Sequence, residues 1–593
     1  MQRLLYQVHR WAGVVLALFM LIWFGSGLLI MYAPPSALGR AEQLEHGDPL
    51  APEAGWLGVG EAWQRSAAQR QAQAAKAAAN KADGAKDAAR PEGAMGAAMG
   101  GGAAHADHGG KSDARADLVA DARLVRQAGT PVWLVEDGRG QRLALSALDG
   151  SLRRVSADDA VRIAANWIEN DADTAPADAA RLVHLDTGPQ DSAVRNHDGL
   201  RPFHRIGVSG SSREILVSAR TGEVVRDSTA FTRGLYWAGN WIHLLRAVDL
   251  FEVKDLRRDV LMWLAFFSFA ASLTGLIIGW QRWRPAGGRK PQYKGGRAHP
   301  YRDVWNTWHF WAGLIGGIAA LLWGFSGWFN GNPFQMFTPA NPSREELVRY
   351  QGAGLPQAAL DWRPAALAAA GADPAAPLAL AGAASTRPVV ELAWRRLGDQ
   401  ATLVATTRDG ERLPQTAPGA VDRFGDAALV AAVGRLAGAT PVAQQQLVTD
   451  YDSYYYARHR QGVVDRPLPV LRVDLADAAG TRFYLDPQDG RLLVRSDTSR
   501  RVYRWVWSAI HHWDFGWLAH RPVWDLWMLS FVGLGLALSV TSVVLGWKRL
   551  RRTFGVKDAP KPRQPAPARP AAVDAPGPLA DAARVVADTA QPG

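Results

Sequence analysis

The sequence predicts a membrane α-helical protein with four transmembrane helices, arranged as duplicated two-helix units, and α+β domains held outside the membrane. Three observations predict it. Four long runs contain no Asp, Glu, Lys or Arg. Basic residues cluster beside the same ends of those runs. A pattern of His, Trp, Gly and Ser recurs at a spacing of 300 residues.

The uncharged runs are Trp11 to Ala33, Val260 to Gln281, Val304 to Ser343 and Leu526 to Trp547. Each meets the ~20 residues a helix needs to cross hydrocarbon. In the third run only Trp305 to Phe329 is apolar enough, and Asn330, Asn332 and Pro333 read as a loop. The apolar part of the first run exceeds the ~7–15 residues of a signal h-region, so it is predicted to be an uncleaved anchor. Arg282, Arg284, Arg289, Lys290, Lys294, Arg297 and Arg302 lie between runs two and three, against one acid, Asp303. Lys548, Arg549, Arg551, Arg552 and Lys557 follow run four, and Arg3 and Arg10 precede run one. Four spans put all three clusters on one side, which the positive-inside rule makes the cytoplasm. The net charge of +11 is thus a topology signal. No basic patch marks a folded domain for nucleic acid, and the lipid bilayer is the partner it implies.

The 593 residues include no cysteine. That excludes disulfides, thiolate nucleophiles, Cys-ligated zinc, iron–sulfur clusters and covalent haem attachment. Any metal must be held by His, Met, Tyr or carboxylates.

Along the chain, 1–33 holds the first transmembrane helix and 34–117 a periplasmic segment with an Ala/Gly-rich linker. Residues 118–232 form an α+β domain, and 233–282 an interfacial aromatic segment with the second transmembrane helix. A basic cytoplasmic loop (283–303), the third helix (304–330) and a second α+β domain (331–500) follow. Residues 501–548 hold another aromatic segment and the fourth helix, and 549–593 a basic cytoplasmic tail. The tract from Ser66 to Ala116 has almost nothing with which to build a core and reads as disordered. Its Met95, Met99, His105 and His108 fit a plain linker better than a metal scavenger. Ser156 to Trp167 reads as a capped amphipathic helix with Ala160, Ile163, Ala164 and Trp167 on one face. Glu214 to Ser218 and Glu223 to Val225, around the turn Thr221-Gly222, read as strands, as do Thr481 to Leu485 and Arg491 to Val494.

The repeat carries the functional signal. His9, Trp11, Ala12, Gly13, Trp23, Ser26 and Gly27 recur as His309, Trp311, Ala312, Gly313, Trp323, Ser326 and Gly327. Before the returning spans, Tyr236 to His243 matches Tyr503 to His511. Four histidines out of fourteen are thereby selected: His9, His309, His243 and His511. A lone interfacial His is ordinarily a side chain whose polar tip reaches water. Matched histidines related by a pseudo-two-fold axis face each other, as the two axial ligands of a haem iron must. His9 and His243 lie most of a ~30 Å slab apart and cannot share one iron. The predicted pairs are therefore His9 with His309 and His243 with His511, holding two haem b groups as axial iron ligands. His512 is a rival to His511, and the shared Ile-His step favours His511. A bis-imidazole iron has no open position and suits electron transfer. Trp23 and Trp323 fall near mid-membrane, where a bridge between haems would stand. The spans show no paired acid or base and no broken helix of the transporter kind.

With these residues the chain resembles the PepSY-associated transmembrane helix family of bacterial inner-membrane proteins. The resemblance is carried by His9-Arg-Trp-Ala-Gly13, Tyr503-Arg-Trp505, His511-His-Trp-Asp-Phe515, Arg521-Pro-Val-Trp-Asp525, Tyr451-Asp-Ser-Tyr-Tyr455 and Leu468-Pro-Val-Leu-Arg472. It implies that both α+β modules are PepSY-like. The chain departs from the family pattern after His243, where Leu244-Leu-Arg-Ala replaces a Gly-containing stretch. Some members are di-haem reductases of ferric siderophores. The resemblance implies an oxidoreductase of the ferric-chelate reductase type, with the same four histidines as ligands. No dinucleotide fingerprint is visible, so the donor is a separate cytoplasmic reductase or a quinol, and the acceptor a periplasmic ferric chelate. Tyr451, Tyr454, Tyr455, Tyr456 and Arg458 are candidate acceptor contacts. The alternative is a membrane-anchored PepSY module that regulates a peptidase or senses a ligand without redox chemistry.

Overall fold

A computed structural model describes residues 2–33, 37–88, 115–170, 181–189, 197–251, 253–339, 341–370, 388–457, 462–518 and 520–555. The chain divides into two units, Met1–Gly546 and Trp547–Gly593. The second unit is described only over 547–555 and is strongly basic.

The apolar runs form long helices. Helix α1 (Gln2–Tyr32), α2 (Leu256–Arg282) and α5 (Val523–Thr553) are each long and apolar enough to cross a membrane. The third run is two helices, α3 (Val304–Ile315) and α4 (Gly317–Asn330), bent by 59° at their junction, and the pair counts as a fourth span if taken as one. This corrects the expectation of unbroken spans. The break falls at Gly316, where an added Cβ would stand 2.6 Å from Leu534 Cβ on α5. The chain deflects where two adjacent glycines let a neighbouring helix press in. The protein is a membrane protein with β-rich domains.

Small residues set the helix spacing. A Cβ at Gly324 would sit 2.8 Å from the backbone N of Phe269 on α2. Gly324→Ala must push α4 from α2, and overpacking of this kind costs about 1–3 kcal/mol. We expect a lower thermal midpoint in detergent; an unchanged one would mean the contact is looser than drawn.

The globular part holds three antiparallel sheets. One has seven strands in the order β11-β10-β9-β1-β2-β3-β4. Its first-half strands are β1 (Val119–Gln127), β2 (Thr130–Asp137), β3 (Arg142–Ser146) and β4 (Leu152–Arg153). The second-half strands are β9 (Val389–Leu397), β10 (Gln400–Thr407) and β11 (Arg412–Gln415). β1 and β9 join the halves, pairing Ala122 with Trp394 and Leu124 with Leu392. The regions drawn from sequence at 118–232 and 331–500 are therefore not closed modules, because each lends strands to a shared sheet. Ala128 (φ 47°) and Gly129 (φ 80°) form the tight loop between β1 and β2, as a two-residue hairpin of the primed type requires. Trp133, Trp394, Leu124 and Leu392 are buried beneath Trp56, Ala62 and Trp362.

Two four-stranded sheets follow. One contains β5 (Leu182–Gly188), β6 (Phe203–Val208), β7 (Glu214–Ser218) and β8 (Val224–Ser228). The other contains β12 (Val442–Val448), β13 (Val470–Leu475), β14 (Arg482–Leu485) and β15 (Leu492–Ser496). The helix Ala157–Glu169 packs on the first, its Ser156 hydroxyl accepting from Asp159 N. The helix Asp426–Ala437 packs on the second. The tract read as disordered is helical over Ala67–Ala88. It is rich in Ala, Lys and Gln, all good helix formers, so it keeps a helix without a core-facing stripe. Met95, Met99, His105, His108 and Arg458 lie outside the described residues.

Candidate haem-ligand histidines

After β8 and after β15 the chain runs through a short helix into a π-helical turn, Trp237–Ile242 in one case and Arg504–Ala509 in the other. His243 follows the first turn directly, and His511 follows the second after one residue, Ile510. Two residues later the backbone enters the left-handed region, at Leu245 (φ 47°) and Trp513 (φ 51°). For bulky side chains this conformation is uncommon, and here it ends the helical run and turns the chain toward α2 and α5.

His9 stands near the start of α1 and His309 near the start of α3. Their ring centroids lie 6.4 Å apart, with planes at 48°. His9 Nδ1 contacts the Ala271 carbonyl at 3.1 Å. A carbonyl only accepts, so Nδ1 carries the proton and Nε2 a free lone pair. Gly275 makes room, since a Cβ there would fall 2.7 Å from His9 Cε1. His309 Nδ1 reaches Thr541 Oγ1 at 3.3 Å. That hydroxyl donates to Ala537 O at 2.9 Å and so accepts from the ring. The Thr274 hydroxyl lies 3.4 Å from His9 Nδ1, so the two rings have corresponding neighbours.

His243 and His511 both line a cavity of about 990 Å³. Trp23, Phe24, Gly27 and Trp323 line the same cavity, with Tyr456, His512, Asp514 and Arg521 among its polar groups. Ser26 Oγ lies 3.2 Å from His243 Nδ1, and Ser326 Oγ 3.0 Å from His511 Nδ1. The Trp23 indole N–H donates to the His243 carbonyl at 3.1 Å, and the Trp323 indole to the His511 carbonyl at 2.9 Å. Trp23 and Trp323 thus stand beside His243 and His511. A Cβ on Gly27 would approach His243 Cε1 to 3.4 Å. Gly27 is eighteen residues beyond His9 on α1, roughly 27 Å along a helix.

His512 Nδ1 turns to the Ser508 carbonyl at 3.3 Å, while His511 takes the serine contact that matches His243. Of the tyrosines singled out as acceptor contacts, Tyr455 is fully buried, stacked on Tyr484 at 5.0 Å, and its hydroxyl donates to Pro467 O. It is a core residue. Tyr454 O accepts from the Trp505 indole and Tyr451 donates to Arg466 O. Tyr456 reaches the cavity wall, where it meets Asp514 and Arg504.

Two imidazoles bound trans to one metal at about 2.0–2.1 Å per bond have centroids about 6.4 Å apart. The spacing of His9 and His309, and four rings with Nδ1 engaged, fit axial ligation of a haem. Among the described residues no group of three or more His, Asp or Glu is gathered as a cage for a bare metal ion.

No curated protein matches the sequence. The family described as PepSY-associated TM region matches residues 6–428, most of the chain. The protein belongs to the PepSY-associated TM region family.

Proposed function

We propose that the protein is a di-haem b electron-transfer protein of the bacterial inner membrane. Electrons enter from a cytoplasmic reductase or a quinol and leave to a periplasmic acceptor, a ferric siderophore or another Fe(III) chelate. In this reading the chain is a duplication with four spans, both termini are cytoplasmic, and the β-rich domains are periplasmic. The observation that carries it is the 6.4 Å spacing of the His9 and His309 rings. The shared cavity of His243 and His511 supports a second pair.

Bound haem supplies a one-electron couple that changes state without bond making. The protein's residues do the rest. The four imidazoles present Nε2, and Ala271, Thr541, Ser26 and Ser326 hold Nδ1. The apolar helices exclude water, so charge at the metal is set by the protein and not by solvent. The cavity wall formed by Tyr456, Asp514 and Arg521 offers polar contacts where the acceptor would approach.

The test is the visible spectrum of detergent-purified protein from haem-replete cells. Split α bands after dithionite and about two haems per chain are expected. A colourless preparation leaves the regulatory alternative. His511→Ala is expected to keep the His9–His309 haem reducible while halting transfer to an added ferric chelate, read by stopped-flow absorbance.

A further inference from the structure

Trp23 and Ser26 are three residues apart on one face of α1, and Trp323 and Ser326 on one face of α4. Each pair grips one histidine at two points. The indole N–H holds the backbone carbonyl of His243 or His511, and the serine Oγ meets the same residue's Nδ1. Both serines are buried. From this geometry, and resting on the di-haem reading, we infer that the Trp-x-x-Ser pairs are positioning clamps that fix the tautomer and the orientation of the second imidazole pair.

The tautomer follows from counting protons. The Ser26 hydroxyl donates to Ile22 O at 2.7 Å, and the Ser326 hydroxyl to Trp323 O at 3.2 Å. A hydroxyl has one hydrogen, so each oxygen is left to accept from the ring. Nδ1 is the protonated nitrogen and Nε2 the free one in both rings. The two-point grip also sets where Nε2 points. With its carbonyl and Nδ1 both held by one helix turn, the imidazole cannot rotate about χ2 without breaking the serine contact. Trp23 packs against its histidine, with ring centroids 5.6 Å apart, and closes the remaining direction. His512, next in sequence to His511, turns its Nδ1 to Ser508 O.

Such an acceptor raises the basicity of the ligating nitrogen and favours the oxidised metal. Its loss is expected to raise the midpoint potential of that haem and weaken its retention by about 10- to 100-fold. The His9–His309 pair is held by Ala271 and Thr541 and is untouched.

The experiment places Ser326→Ala and Ser326→Thr in the His309→Ala background, which is expected to retain one haem. Midpoint potential, low-temperature EPR g-values and haem dissociation rate are measured. A raised potential, changed g-values and faster loss in Ser326→Ala, restored in Ser326→Thr, support the clamp. Trp323→Phe, which removes only the indole N–H, is the second variant and is expected to broaden the EPR signal without loss of the serine effect. Identical potentials, g-values and dissociation rates for the Ala variant and its parent overturn the clamp while leaving the di-haem reading intact. A wild-type protein without haem overturns both.

Discussion

His309→Ala will leave the purified protein with one haem in place of two. The same loss is expected from His9→Ala, and the double variant should be no worse than either single one. In the proposed di-haem reading each ring would be one of two ligands to a haem iron, so removing one would halve the coordination that keeps a haem against washing in detergent. The alanine also leaves a void between α1 and α3 where the rings stand 6.4 Å apart. The haem that remains would be the one proposed for His243 and His511, whose cavity is some 27 Å further along α1. Pyridine haemochrome quantification reads the result directly. Transfer of electrons to a ferric chelate should fall by orders of magnitude, because the entry step is gone. Full retention of both haems in His9→Ala and in His309→Ala would dismiss the pairing and point to other ligands.

The repeat was legible because it is written in local sequence. His, Trp, Gly and Ser at fixed spacing along a helix need no knowledge of the remainder of the chain. The apolar length of the spans is legible for the same reason. The shared sheet was not, because β1 and β9 are some 270 residues apart and either hairpin alone reads as a complete unit. The bend at Gly316 depends on Leu534, a partner far along the chain. The helix over Ala67–Ala88 is masked by low complexity, although the intrinsic propensity of its residues is high. The serines were visible as members of the repeat. Their contact with the imidazoles became visible only when the turns after β8 and β15 carried His243 and His511 back against α1 and α4.

Glu391→Ala is expected to cost about 3–5 kcal/mol, the range for removing one partner of a buried ion pair. Glu391 lies on β9, 2% exposed, where the halves meet. Its carboxylate takes Arg40 at 2.5 Å and Arg123 at 3.1 Å, with Arg395 at 3.9 Å. Arg123 goes on to Glu223 at 2.7 Å, in the turn between β7 and β8, so one network ties the seven-stranded sheet to its first-half neighbour. The alanine leaves three guanidinium groups crowded around a void. Burial alone would raise the Glu391 pKa, but Arg40, Arg123 and Arg395 outweigh it and lower it from 4.5 to about 2. A folded-state pKa below the unfolded one gives stability that is complete above about pH 4.5 and is lost as the pH falls through about 2. The wild-type thermal midpoint should therefore decline across that window more steeply than that of Glu391→Ala, which has nothing there to protonate. The two curves should be furthest apart at neutral pH and converge in acid. Parallel curves with a constant gap would mean that the cavity, and not the charge, accounts for the loss. Glu391→Gln separates the two causes, since it keeps the volume and most of the hydrogen bonds while removing the charge.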